Sequence, residues 1–404
     1  MSSSFRPSVA LLLFVLFAAN LKAQDYLHQV IVLNEGWSDW QTGEVVEPAT
    51  LAVYDPGLET YTVVDTIEDA GFVSDALVFD EKIFVAADGS LLKYDANSYE
   101  LLQSKSILGI RKILKHNDLI YITRGGLDDQ GMSLQLDAYF QWYDAESLEL
   151  VGELTASENG PQFATEGIAV DGDRIYFAIN NAFEWGNEVG FLGSYDVQGD
   201  EYDEWDLGEN GVNPYHLFEV GGAVVSVNNR DYGSTSLSVL NVTDNAIETI
   251  EVSEANAGCL AAVAVDSELR YQITGESVVR QTNAQDFSSS TEWISDCSAY
   301  YGMAVDAVSG DVYGSVTDYS TFGLMEVRSA TGQLISQFDC GVSPGVICMD
   351  IRNVSDIASD LQQNALVRSS REQFDVLGRA MPFGPAHGVM IDSRGRKVIA
   401  LDRN

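Results

Sequence analysis

The residue types able to do chemistry are arranged for binding rather than bond-making. The four histidines, His28, His116, His216 and His387, are scattered along the chain with no spacing that makes any of them a metal ligand or a general base. His216, directly after Tyr215, is the one with site-like neighbours. The string Gly341-Val-Ser-Pro-Gly345 has the letters of a nucleophile elbow. An elbow needs a strand running into a helix, and apolar strand-like runs stand on both sides, so Ser343 reads as a turn residue. What recurs instead is aromatic rings beside Asn, Asp and Arg in short polar stretches. Examples are Trp37, Asp39 and Trp40; Asn180, Asn181, Phe183, Glu184 and Trp185; and Asn228, Asn229, Arg230, Asp231 and Tyr232. Rings with amide and charged neighbours suit a flat, polar-edged ligand that stacks and hydrogen-bonds.

The elements that must position these stretches repeat. The clearest unit spans 165–205: a short apolar strand, an Asp-Gly turn, an alternating strand, a polar aromatic loop, a strand ending Tyr-Asp, and an amphipathic fourth strand. Similar four-strand units read at 74–105, 111–154, 215–250, 260–293 and 302–338. The opening unit has three strands, 28–36, 51–55 and 61–65, and lacks a first one, while 345–350 is left over with a first-strand pattern. A four-strand repeat of roughly 40–50 residues is the signature of a β-propeller. The expectation is an all-β, seven-bladed β-propeller closed by pairing of the N- and C-terminal strands, plus a small C-terminal β segment.

In such a ring, ligands meet the channel mouth, lined by loops between second and third strands and by the loops entering each blade. The repeat places there the candidate ligand-binding residues Trp37, Trp40, Arg111, Arg124, Glu166, Asn180, Asn181, Trp185, Tyr215, Asn229, Arg230, Tyr232, Tyr301 and Tyr319. Asp88, Asp128, Asp129, Phe183, Asn213, Tyr300 and Asp318 fall beside them. No catalytic residue and no cofactor is expected; Ca²⁺, an oxygen-ligand ion, is the one that mouth carboxylates would suit. The acidic run 200–206 maps to the far side and reads as a solvated edge.

Composition bounds the rest. Lys and Arg total 22 against 61 Asp and Glu, a formal charge of -39, which repels phosphate backbones and excludes nucleic acid as a partner. Residues 1–23 read as a secretory signal, with Arg6, an apolar core at 10–19 and a small-residue cleavage site before Gln24; no Cys follows for a lipid anchor, and no later stretch is long enough to span a bilayer. All four cysteines lie in the last third and would meet an oxidising compartment, where Cys340 with Cys348 and Cys259 with Cys297 are the natural pairs; buried free thiols are the alternative. The domain reading is signal 1–23, propeller 24–352, polar linker 353–371 and a basic, Gly-rich segment 372–404.

Two resemblances cover different parts of the chain. Leu33-Asn-Glu-Gly36, Thr165-Glu-Gly-Ile-Ala-Val170 with Asp173-Arg-Ile-Tyr176, Gly302-Met-Ala-Val-Asp306, Gly310-Asp-Val-Tyr313 and Asp318-Tyr-Ser-Thr-Phe-Gly323 together resemble the YncE-like seven-bladed propellers exported by Bacteroidetes-type bacteria. That resemblance implies a secreted or surface protein; some such relatives capture cobalamin for a TonB-dependent transporter. Near the C-terminus, Asp375, Gly378 and Arg379, then Gly388 to Ile391, then Gly395, Lys397 and Val398 resemble the sorting segment of the type IX secretion system, with Met390 where a tyrosine is usual. The functional expectation is capture, at the channel mouth, of a corrinoid-like or other polar-aromatic ligand or a surface partner, with a TonB-dependent receptor as the recipient that the resemblance implies. A metal-dependent hydrolase or lactonase using mouth carboxylates is the alternative, and a protein-binding scaffold the third reading.

Overall fold

The computed structural model describes residues 25–353, apart from 40–41, 43, 69, 129, 231–232 and 256–260, and four short strands beyond 353. The chain divides into two compact units, Leu27–Ile351 and Met1–Tyr26 with Arg352–Asn404. The larger unit is a ring of seven four-stranded antiparallel sheets. Blade two, typical of the set, takes its strands in order from the channel outward: Val73–Phe79, Lys82–Ala87, Ser90–Asp95 and Leu101–Ser106. Blades three to seven repeat this order across Ile110–Thr155, Thr165–Asp206, Pro214–Ser253, Ala262–Ser295 and Met303–Val342. In blade one the innermost strand is Pro344–Asn353, beside Asp25–Asn34, Ala49–Asp55 and Thr60–Ile67. The ring therefore closes with strands from both ends of the propeller, as the unpaired units in the sequence require.

The alternation that marks each strand is what joins the blades. Along Arg174–Ile179, Ile175, Phe177 and Ile179 pack against Tyr121 and Phe140 of blade three. Tyr176, pointing the other way, packs against Leu217 and Val224 of blade five. Each blade meets its two neighbours in this manner, and seven apolar clusters, one per interface, complete the circle.

The recurrent Tyr-Asp has a local cause. The carboxylates of Asp55, Asp95, Asp144 and Asp196 each accept two backbone N–H groups of the following turn, as from Asn97 (3.0 Å) and Ser98 (2.9 Å) to Asp95. These bonds favour the charged form. Asp95 is drawn down to about 2, backbone and Lys82 contacts outweighing its desolvation, and Asp144 and Asp196 are also lowered.

The expected disulfide between Cys340 and Cys348 does not form. Cys297, Cys340 and Cys348 are free thiols, and Cys259 lies outside the described residues. The reason is again alternation. On the strand Pro344–Asn353, Ile347 and Met349 pack with Cys340 towards blade seven, whereas Val346 and Cys348 pack on the opposite face towards blade two. Ser343 sits between two strands with φ 53°, and its carbonyl accepts the Glu35 N–H at 2.8 Å.

In the smaller unit, Gln373–Phe374, Ala380–Met381, Val389–Ile391 and Lys397–Ile399 form one sheet in the order second, first, third, fourth. Residues 1–23, expected as a signal sequence, residues 353–371, expected as a linker, apart from Asn353, and the turns carrying Asp375, Gly378, Arg379 and Gly395 lie outside the described residues. Among the described residues no helix is long and apolar enough to cross a membrane.

Candidate functional site

Because the innermost strand of every blade faces the ring axis, a side chain placed on it shares one space with six others. That space is a cavity of about 890 Å³ lined from all seven blades: Glu35, Val346 and Ile347 from the first, Phe72, Ser74, Asp75 and Asp88 from the second, and Leu108, Arg111, Lys112, Leu127 and Leu134 from the third. Glu166, Phe183 and Trp185 follow from the fourth, Asn213, Tyr215, His216, Phe218 and Asn229 from the fifth, Ala261 and Ala262 from the sixth, and Tyr301 and Met303 from the seventh. Apolar walls with a few convergent polar groups are the usual make-up of a small-molecule site, and the volume lies within the range of such sites.

The polar groups are fixed by their neighbours. Arg111 donates to Glu166 through Nε (2.8 Å) and a terminal nitrogen (3.0 Å), a two-pronged ion pair around a fully buried carboxylate. The guanidinium lies between the rings of Phe72 and Phe183, each centroid 5.1 Å away. Lys112 Nζ donates to the Ser74 carbonyl at 2.6 Å. Asp75 accepts the N–H groups of Ile113 (2.9 Å) and Ala76 (3.0 Å), yet burial still raises its pKa against the pull of Lys112. Tyr301 donates its hydroxyl towards both Glu35 oxygens, at 2.8 and 2.9 Å. Burial nevertheless pushes Glu35 up to about 7, despite that bond and the attraction of Lys112 and Arg111. Gly345 lies opposite: a Cβ there would stand 2.1 Å from Glu35 Oε1, so a side chain at 345 would displace the Glu35 carboxyl from this position.

On the blade-five wall, Asn213 sits at φ 58°, a conformation Asn tolerates better than most residues. Its Nδ2 donates to the Asn229 carbonyl at 3.1 Å, and the Asn229 N–H returns a bond to the Asn213 carbonyl at 2.9 Å. The side-chain oxygens of both residues are buried with no hydrogen-bond partner. His216 stands next to them, edge-on to Tyr215 and stacked on Phe218.

Of the residues singled out in the sequence, the structure brings Arg111, Glu166, Trp185, Tyr215, Asn229 and Tyr301 together on the cavity wall. Others stand elsewhere. Arg124 is buried and clamps the carbonyls of Leu108 and Ala138. Asn180 bonds the Pro214 carbonyl, and Asn181 bonds Glu184 and the Asn187 carbonyl within its own loop. Arg230 turns outward to Ser234, Asn210 and Glu251. Trp37 is exposed in a two-stranded ribbon with Val45–Glu47, and Tyr319 is exposed but meets Tyr301 edge-on at 5.1 Å. Trp40 and Tyr232 lie outside the described residues.

Sequence reasoning missed Glu35, Phe72, Asp75 and Lys112. The available signal for Asp75 and Lys112 was charge inside otherwise apolar innermost strands, where an ionisable residue is costly unless it faces a polar space. Among the described residues, no group of three or more His, Cys, Asp or Glu is placed to hold a metal ion.

No protein-family model and no curated protein matches the chain. Among solved structures it is similar to BamB from Moraxella catarrhalis, at 14% identity over 70% of this chain and 77% of that one, with a TM-score of 0.43. It is also similar to apo AztD from Citrobacter koseri, at 10% identity over 80% of this chain and 98% of that one, with a TM-score of 0.47.

Proposed function

We propose that this protein is a non-catalytic capture protein that takes a small, partly apolar molecule into the axial cavity of its propeller. The observation that carries the reading is the cavity itself: about 890 Å³, walled by Phe72, Phe183, Phe218 and Trp185, with polar groups from several blades converging on it. Rings and amides fixed before binding favour retention of a ligand.

The setting we propose is the cell surface. The signal-like start, the sorting-like pattern near the C-terminus and the YncE-like strings support it, and with them a hand-over to a TonB-dependent receptor. The exposed apolar side chains Met132, Trp185 and Phe322 give such a partner something to rest on.

The test is native mass spectrometry of the full mature chain after incubation with spent culture medium and with a corrinoid panel. A retained molecule, weakened by Trp185→Ala, supports capture at the mouth. A protein that retains nothing but co-purifies with a receptor turns the reading to a protein-binding scaffold.

A further inference from the structure

We propose that the cavity selects a singly charged organic anion with an apolar body, its head held by the Lys112 ammonium. The inference rests on the channel being a ligand site and adds the chemical class of the ligand.

Two arrangements carry it. The first is the different state of the two cations on the wall. Arg111 is already matched: its guanidinium forms the two-pronged pair with buried Glu166 and lies between Phe72 and Phe183. Lys112, the next residue, has no such counterpart. Its Nζ donates to the uncharged Ser74 carbonyl at 2.6 Å and pairs with no carboxylate among the described residues. An ammonium carries three donors, so one carbonyl leaves it under-used. Lys112 lines the cavity and keeps part of its surface uncovered, so a ligand there can reach it. A partly desolvated cation without a counter-charge is costly, and an anion arriving with the ligand relieves that cost.

The second is the state of the carboxyls around Lys112. Glu35 and Asp75 share its space, and burial disfavours the charged form of each, raising Asp75 and pushing Glu35 up to about 7. Counted in the neutral form that burial favours, they add no charge. Arg111 and Glu166 cancel, and Asp88 is exposed, where water and salt screen it. One positive charge remains inside, at Lys112. A single unmatched cation fits a monoanion better than a phosphate dianion. Leu108, Leu127, Leu134, Phe218, Met303 and Val346 supply an apolar wall for the rest of the molecule. The formal charge of -39 slows the approach of an anion at low salt, but it is spread over a surface that physiological salt screens beyond about 8 Å.

The experiment uses three probes that share one fluorescent, apolar body: pyrenebutyrate, pyrenebutanamide and pyrenebutyl-trimethylammonium. The first is an anion, the second neutral, the third a cation. Fluorescence titrations use the full mature chain at about pH 6, where Glu35 keeps its proton. Affinity should fall in that order, with the anion about tenfold tighter than the amide, the scale of a hydrogen bond to a charged group. Lys112→Met removes the charge at similar length. It should bring pyrenebutyrate down to the level of the amide and leave the amide within about twofold, which also reports that the wall is intact. Lys112→Arg keeps the charge and should keep the anion ahead. The ranking in the wild type needs no variant, so it tests the assignment even if Lys112→Met does not fold.

An amide or a cation bound as tightly as pyrenebutyrate would overturn the assignment while leaving capture in the channel intact. So would a Lys112→Met protein in which the anion keeps its lead over the amide, since the head would then be held elsewhere. No probe bound at all would overturn this inference too, and the capture reading would then be decided by whether native mass spectrometry finds a retained molecule.

Discussion

Replacing Glu35 with Gln should remove one segment of the pH dependence of stability. In the folded chain this carboxyl is buried beside Gly345, holds the Tyr301 hydroxyl and has its pKa raised from 4.5 to about 7. Between those values the folded state keeps a proton that the unfolded state has released. Stability contributed by the neutral carboxyl is therefore full below about 4.5, falls as pH rises through the window, and is lost above about 7. At roughly 1.4 kcal/mol per pH unit, the rise is worth about 3 kcal/mol as a ceiling. Gln is isosteric and its carbonyl still accepts from Tyr301, but it does not titrate. Urea unfolding of both proteins from about pH 4 to about pH 8 gives a difference curve free of the many other carboxylates. Glu35→Gln should gain about 3 kcal/mol on the wild type across that range, with most of the change between 4.5 and about 7. A flat difference curve, or one in which the variant loses ground as pH rises, would refute the argument that burial dominates at Glu35.

Arg111→Met leaves the buried Glu166 without its partner and should cost about 3–5 kcal/mol, with Arg111→Met/Glu166→Leu recovering most of it in the same unfolding assay. Gly167→Ala places a Cβ 2.5 Å from the Tyr215 carbonyl and 2.7 Å from the Leu217 nitrogen, so blades four and five must part; a loss of about 1–3 kcal/mol is expected, read from the urea midpoint. Burial pushes the Cys340 and Cys348 thiols up to about 12 and raises Cys297, so none of the three should react with a water-soluble thiol reagent until the chain is unfolded. A non-reducing peptide map should show no Cys340–Cys348 link.

The ring was legible because its cause is local. In blades one to four the Tyr-Asp closes its own turn by accepting the N–H groups two and three residues on, and each strand alternates faces, so repeat and period can be counted along the chain. The unpaired strands at the two ends could be matched for the same reason. The site was only partly legible, because polar residues in the same loops serve two purposes. Arg111 and Arg124 look alike in sequence, yet one faces the axis between two phenylalanine rings and the other binds carbonyls inside its blade. Asn180 and Asn229 divide in the same way. Spacing does not report which side of a blade's inner edge a side chain takes when the entering strand carries an irregularity, as at Ile110–Ile113 and Thr165–Ile168. The disulfide expectation failed on the same ground: nearness in sequence put Cys340 and Cys348 together, and strand alternation put them on opposite faces.

The central claim is that the axial cavity holds a small molecule. A crystal structure of the full mature chain, prepared with the molecule it retains in native mass spectrometry, tests this most directly. The account predicts density for that molecule inside the ring, against Phe183 and Trp185. Ordered water alone in the channel, with the retained molecule bound outside it, would contradict the account.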